Sequence, residues 1–246
     1  MEIRARLSRG LDGVRRSMEI RVGSLVRDAK EAEGTVIIID VFRAFTTAAI
    51  AFDHGAAQIT LVAEVDEALE LQRQGIGDVL MGEVDGERPE GFDYGNSPYE
   101  VSQVDFTGKS IVQSTRAGTV GVATASNAET IYLGSLAVAE YTVKAILRDN
   151  PSTVWIIAMG DRGRLRADED EHCALYLRNL LEGRNPDPDA VRSLIMEGGD
   201  TQKFFDEGQP QYHPKDVELA LQVSRYPFAM KVTRENGLPV ARKHLL

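Results

Sequence analysis

The sequence predicts an α/β protein, a sheet with helices packed on its faces. Three observations predict it. Short apolar segments alternate with helical patterns through the first 160 residues. Several of those segments are continuously apolar, as strands buried on both faces read. The composition, 43% hydrophobic and 27% charged over 246 residues, is that of a chain able to bury a substantial core.

The elements follow in order. "TVIIID" (35–40) is an apolar run ending in an acid and reads as a buried strand, and "AFTTAAIAFDHG" (44–55) reads as the helix after it. Then come a strand at 57–63, a helix at 65–75 and a strand at 78–83. A polar loop occupies roughly 84–107. A strand at 109–115 precedes the small-residue helix 117–127. Strands at 130–135 and 152–160 flank a helix at 136–150. Beyond 160 the pattern turns mainly helical, with Pro and Gly breaks at 183–188 and 208–214. No long linker or convincing repeat interrupts 18–246, which reads as a single domain.

Residues 1–17 stand apart. They carry five arginines against Glu2 and Asp12, and "MEIR" at 1–4 returns at 18–21. They read as a dispensable basic arm ahead of a strand-like "EIRVGSLV". The segment has no signal-peptide core, and no apolar run approaches membrane-spanning length. With a single cysteine, Cys173, the expected location is cytoplasmic. The net charge of −10 without a polybasic tract argues against nucleic acid as a partner.

Ligands of open α/β sheets sit beyond the carboxyl ends of strands, and polar residues collect there. Asp40, Arg43, Thr46 and Thr47 follow the first buried strand, and Glu83 follows the strand at 78–83. Ser114, Thr115, Arg116, Gly118 and Thr119 follow the next, and "GDRGRLRADEDE" follows 152–160. The loop "GFDYGNSPYE" adds Asp93, Asn96 and Ser97. Each has an ordinary explanation. Asp40 can cap a helix; Arg43 can form a surface pair worth about 0–1 kcal/mol; acids at 168–171 suit any helix start. If the strands are parallel neighbours, however, all of these converge on one edge. Carboxylates then suit Mg²⁺ and arginines suit phosphate oxygens. The glycine-rich fingerprints of nucleotide and dinucleotide sites are absent, and the four histidines lack zinc-like spacing.

In order and spacing, "IIIDVFRAFTTAAIAFDHGA", "MGEVDGERPEGFDYGNSPYE", "STRAGT" and "EDEHCA" resemble the 2-phosphosulfolactate phosphatase (ComB) family. The resemblance runs from about residue 18 to at least 182. It implies a three-layer α/β/α sandwich and a Mg²⁺-dependent phosphomonoester hydrolase. The implied substrate is 2-phospho-3-sulfolactate, a small phosphorylated and sulfonated anion on the way to coenzyme M. It implies Asp40, Glu83, Asp93, Glu169 and Asp170 as metal ligands, with Asp40, Arg43, Asp93 and Arg116 in the chemistry. Substrate contacts fall to Thr46, Thr47, Asn96, Ser97, Ser114, Thr115, Gly118 and Thr119. The family usually shows Asn–Gly where this chain has Arg116–Ala117. No second acid follows Asp40 at position 42, so direct attack by water is at least as reasonable as a phospho-Asp40. The alternatives are a phosphatase of another small phosphorylated acid and a non-catalytic oxyanion-binding or regulatory protein. The chain is compatible with a homodimer.

Overall fold

Nine strands form one sheet in the computed structural model, which describes residues 18–246. The strands are β1 (Glu19–Ser24), β2 (Gly34–Ile39), β3 (Gln58–Val62), β4 (Val79–Gly82), β5 (Ser110–Ser114), β6 (Ala128–Gly134), β7 (Thr153–Ala158), β8 (Ala229–Glu235) and β9 (Leu238–His244). Between them lie α1 (Leu25–Glu31), α2 (Ala44–Asp53), α3 (Val65–Arg73), α4 (Pro98–Val101), α5 (Gly118–Thr124) and α6 (Ala139–Asp149). The helices α7 (Asp168–Leu181), α8 (Pro188–Glu197) and α9 (Pro214–Ala220) follow β7. The expected dispensable arm at 1–17 lies outside the described residues.

The order across the sheet is β1-β7-β2-β6-β8-β9-β3-β5-β4. The first four strands are mutually parallel, and so are the last three. Between the two blocks sits the antiparallel hairpin β8–β9, paired antiparallel to β6 on one side and β3 on the other. The region beyond 160 is therefore helical only as far as α9. The hairpin that follows had a legible cue in Asn236–Gly237, a two-residue loop with both φ positive (51° and 85°). That geometry matches the twist of the flanking strands and favours this residue pair.

Residues alternate faces along each strand, and the three layers follow. Val36, Ile38, Ile59, Leu61 and Ile111 face α2, which is buried on every side from Ala44 to Phe52. A helix apolar all round belongs inside a fold, and Ala, Ile and Phe on all faces of "AFTTAAIAF" make it so. Ile37, Ile39, Tyr132, Val154 and Ile156 face the opposite layer, with α6 and α7. A smaller cluster of Val62, Ala68, Leu71, Leu80 and Val112 seats α3.

Parallel adjacency, the expected reason for convergence, does not hold. Five strand intervals separate β2 from β5, and the hairpin reverses the direction of the second block. Sheet twist supplies the reason instead. About 20–25° per strand pair, accumulated over five intervals, turns the second block by roughly 100–125°. Contacts such as Gly118 N to Asp40 Oδ2 and Arg162 to Asp85 show that its carboxyl ends reach those of the first block.

Candidate active site

Asp40 shows that the two blocks meet. It follows β2, and its Oδ1 accepts a hydrogen bond from Ala44 N (2.9 Å), the first N–H of α2, although the N-cap position itself falls on Arg43 rather than Asp40. Its Oδ2 accepts from Gly118 N (2.8 Å), at the start of α5 beyond β5. Position 118 must be glycine for this approach: a Cβ there would lie 2.8 Å from Asp40 Oδ2 and 2.9 Å from the Phe45 ring. Burial above all pushes the Asp40 carboxyl up to about 6, and the negative charge of Glu83 adds to the rise. The N–H bonds and Arg43 act the other way.

Glu83 is held by the same turn. Its Oε1 accepts from Arg116 N and its Oε2 from Gly86 N, both at 2.8 Å. Two backbone N–H groups two residues apart, at 116 and 118, thus fix two carboxylates. Gly82 permits the chain to enter here, because a Cβ on it would sit 1.9 Å from the Ser114 carbonyl oxygen.

The first turn of α7 brings two more acids. Asp170 is buried; its Oδ1 accepts from Val41 N and its Oδ2 from Gly160 N, each at 2.8 Å. Burial, Glu169 and Asp40 raise its carboxyl well above the usual range. Glu169 is 4% exposed, and its Oε2 has no hydrogen-bond partner. Burial, with the charge of Asp200 next, pushes it up to about 8. Of the run 168–171 only Glu169 lines the cavity, while Asp170, an expected metal ligand, is buried behind it on the Val41 and Gly160 N–H groups.

Asp40, Glu83 and Glu169 line one cavity together with Arg43, Arg116 and Lys203. Asp85, Asp161, Arg162 and Tyr212 complete its charged and polar wall. Arg162 pairs with Asp85 at 2.9 Å, from opposite strand blocks. Arg116 is half exposed and 3.7 Å from Glu64. Arg43 is no surface residue. It is 3% exposed and pairs with the fully buried Asp216 at 3.1 Å. It also donates to the Gln211 and Gly86 carbonyls and lies over the Tyr212 ring, 4.9 Å to the centroid.

Other expected site residues are placed elsewhere. Asp93 is exposed and outside this cavity, its Oδ2 accepting from Leu80 N (2.8 Å) beside β4. Thr46 and Thr47 are fully buried, their hydroxyls donating to the Val41 and Arg43 carbonyls. Thr115 and Thr119 cap each other at the start of α5: Thr119 Oγ1 accepts from Thr115 N (2.8 Å) and Thr115 Oγ1 from Thr119 N (3.2 Å). Ser114 is buried at the end of β5, its carbonyl accepting from Glu83 N. Ser97 caps α4 and donates to Asp216 Oδ1 (2.6 Å). Asn96 does line the cavity, with its buried Oδ1 unpartnered. Asp85, Lys203, Tyr212 and Asp216 were not anticipated. Asp161 and Arg162 lie in the strand-end segment after β7 that the sequence singled out, without a role assigned to either. Lys203, Tyr212 and Asp216 arrive from the C-terminal helical region, and no local pattern marks them.

The residues present fit a hydrated divalent cation better than a bare one. Among the described residues no three His, Cys, Asp or Glu side chains are grouped to wrap a metal. Asp40 and Glu83, however, spend one N–H bond on each oxygen and keep lone pairs over. Mg²⁺ binds through one or two carboxylates while retaining several waters. Among the described residues no helix is long and apolar enough to cross a membrane.

A family model described as 2-phosphosulpholactate phosphatase matches residues 23–207. A relative from Bacillus subtilis (strain 168), named probable 2-phosphosulfolactate phosphatase, is 32% identical over 213 residues, 85% of this chain and 92% of its own length. One of the same name from Caldanaerobacter subterraneus subsp. tengcongensis is 34% identical over 226 residues, 86% of this chain and 91% of its own.

Proposed function

This chain belongs to the 2-phosphosulpholactate phosphatase family, and from that premise we propose that it is a Mg²⁺-assisted phosphomonoester hydrolase. Its substrate is a small multiply anionic ester of the 2-phospho-3-sulfolactate type. One observation carries the reading. Carboxyl ends of two oppositely directed strand blocks meet at a cavity where Asp40, Glu83 and Glu169 face Arg43, Arg116 and Lys203.

Asp40 and Glu83 would hold the cation, which when bound neutralises phosphoryl charge and lowers the pKa of water. Arg43, rigid in its buried setting, offers its fork to phosphoryl oxygens, where charge redistributes during transfer. Arg116 and Lys203 are more open and suit the carboxylate and sulfonate of the substrate. Glu169, held protonated by burial and by neighbouring acids, is poised to give its proton to the leaving alkoxide. Both Asp40 oxygens already accept a backbone N–H. That favours attack by water over a phospho-aspartate. The expected location remains cytoplasmic.

The test is phosphate release by the full chain from an aryl phosphate and from 2-phospho-3-sulfolactate, with and without Mg²⁺. Release that requires Mg²⁺ and prefers the sulfolactate ester supports the reading. Tight binding of the ester without release would point to the non-catalytic alternative.

A further inference from the structure

Asp216 is fully buried, beyond the stretch matched by the family model, and surrounded by donors. Its Oδ2 accepts from Arg43 Nη1 at 3.1 Å. Its Oδ1 accepts from Ser97 Oγ at 2.6 Å and from Tyr99 N at 2.9 Å. The segment leading to it also grips Arg43: the Gln211 carbonyl accepts from the same Nη1 at 2.9 Å, and the Tyr212 ring lies under the guanidinium. The Gly86 carbonyl, from the opposite wall, accepts from Nη2 at 3.1 Å.

We propose that Asp216 is a positioning residue that fixes the Arg43 guanidinium at the rim of the cavity. This rests on the proposed function, in which Arg43 contacts the phosphoryl group. The physical case is one of satisfied donors. Arg43 has five N–H donors. Asp216 and Gln211 accept from Nη1, and Gly86, itself in the cavity wall, accepts from Nη2. Among the described residues Nε–H and the second Nη2–H keep no partner, and Arg43 lines the cavity. Asp216 also leaves no net charge behind the guanidinium, since its carboxylate compensates it. Its second oxygen ties the arrangement to the 91–100 loop through Ser97 and Tyr99. A carboxylate with three donors around it cannot turn, so Arg43 cannot either. The loop and the 209–216 segment thereby set the geometry of a side chain that neither contains.

A double-mutant cycle on kcat/KM tests this with Asp216→Asn, Arg43→Lys and the pair. Asn keeps the volume but loses one acceptor oxygen whichever way it turns. Losing an orienting partner of a functional group typically costs about 10–100-fold. Asp216→Asn is expected to lower kcat/KM within that range, mainly through kcat. In the Arg43→Lys background the added loss should shrink to less than about threefold, because coupled residues are not additive. The same factor in both backgrounds would overturn the proposal, since a merely structural loss is indifferent to residue 43. Should Asp216→Asn fold poorly, Ser97→Ala loosens Asp216 from its other side. Its smaller loss should likewise vanish beside Arg43→Lys, and persistence would count against the proposal. Calorimetric binding of inorganic phosphate separates this from failure of the catalytic reading. If the wild type releases no phosphate, Asp216→Asn must still weaken phosphate binding in the wild-type background and not beside Arg43→Lys. Undisturbed or absent phosphate binding would overturn the positioning role.

Discussion

Asp40 and Asp93 stand in the two most distinctive polar stretches of the chain, "DVFRAFTT" and "GFDYGNSP", and chemically they are the same group. The first is buried between two strand blocks, accepts N–H bonds from both and is pushed up to about 6. The second is exposed and accepts one bond from Leu80 N beside an edge strand. The 91–100 loop is still informative, but through its neighbours: Asn96 lines the cavity and Ser97 supports Asp216. Residue type and punctuation thus locate a loop that reaches the cavity. Burial and convergence place Asp40, and not the loop's own Asp93, in the cavity wall.

The largest expected effect sits on that contrast. Asp40→Asn should lower kcat/KM by about 10²–10³-fold, as loss of a charged group in a preorganised site does. Asp93→Asn should change it by less than about threefold, as a surface substitution outside the cavity does. Steady-state kinetics of the two variants, with circular dichroism to confirm folding, makes the comparison. Equal losses would erase it. Arg43→Lys comes next: lysine keeps the charge but not the fork, so about a hundredfold loss is expected. The melting temperature should also drop, because the pair with Asp216 is buried and breaking such pairs is costly.

A pH effect follows from the raised acids. A carboxyl with a higher pKa in the folded state binds more protons folded than unfolded. Its contribution is therefore fully present at low pH and is lost as pH rises through the folded value. Asp40, raised from 3.8 to about 6, and Glu169, raised from 4.5 to about 8, set the window. In a chelator the melting temperature should fall from pH 5 to pH 8. Glu169→Gln should remove the upper part of that slope, and Mg²⁺ should flatten it by compensating the charge. A flat profile in chelator would show that these carboxyls do not strain one another.

Smaller effects bound the comparison from the other side. Thr46→Val and Thr47→Val should each cost about 1 kcal/mol of stability by losing one buried hydrogen bond. Neither should change kcat/KM more than about twofold, as neither hydroxyl lines the cavity. Chemical denaturation beside kinetics separates the two quantities. Starting the chain at Met18 should change least of all, with melting temperature and activity both retained. Insoluble protein after truncation would mean that 1–17 contribute to the fold.

The strand–helix alternation and the acid-and-arginine strand ends were legible because both are local. "TVIIID" carries its own burial pattern, and Asp40 its own place at the strand end. The path by which strand ends meet was not local. It depends on a hairpin more than 90 residues beyond β6 being inserted between two strand blocks, and on twist summed across strands that the sequence does not order. Thr46 and Thr47 show the limit in miniature. They share a helix start with Arg43, but the helix turns them onto carbonyls inside the core. Lys203, Tyr212 and Asp216 show the converse, since nothing near them in sequence advertises a cavity. Only the fold of α7 to α9 across the sheet end brings them to Arg43.

The most direct measurement is a crystal structure of the full chain soaked with Mg²⁺ and tungstate, a phosphate stand-in with strong anomalous scattering. The account predicts tungstate against Arg43, with a hydrated cation beside Asp40 and Glu83 in the same cavity. Tungstate bound at Asp93, or ordered only on the outer surface with Asp40 and Glu83 bare, would contradict it.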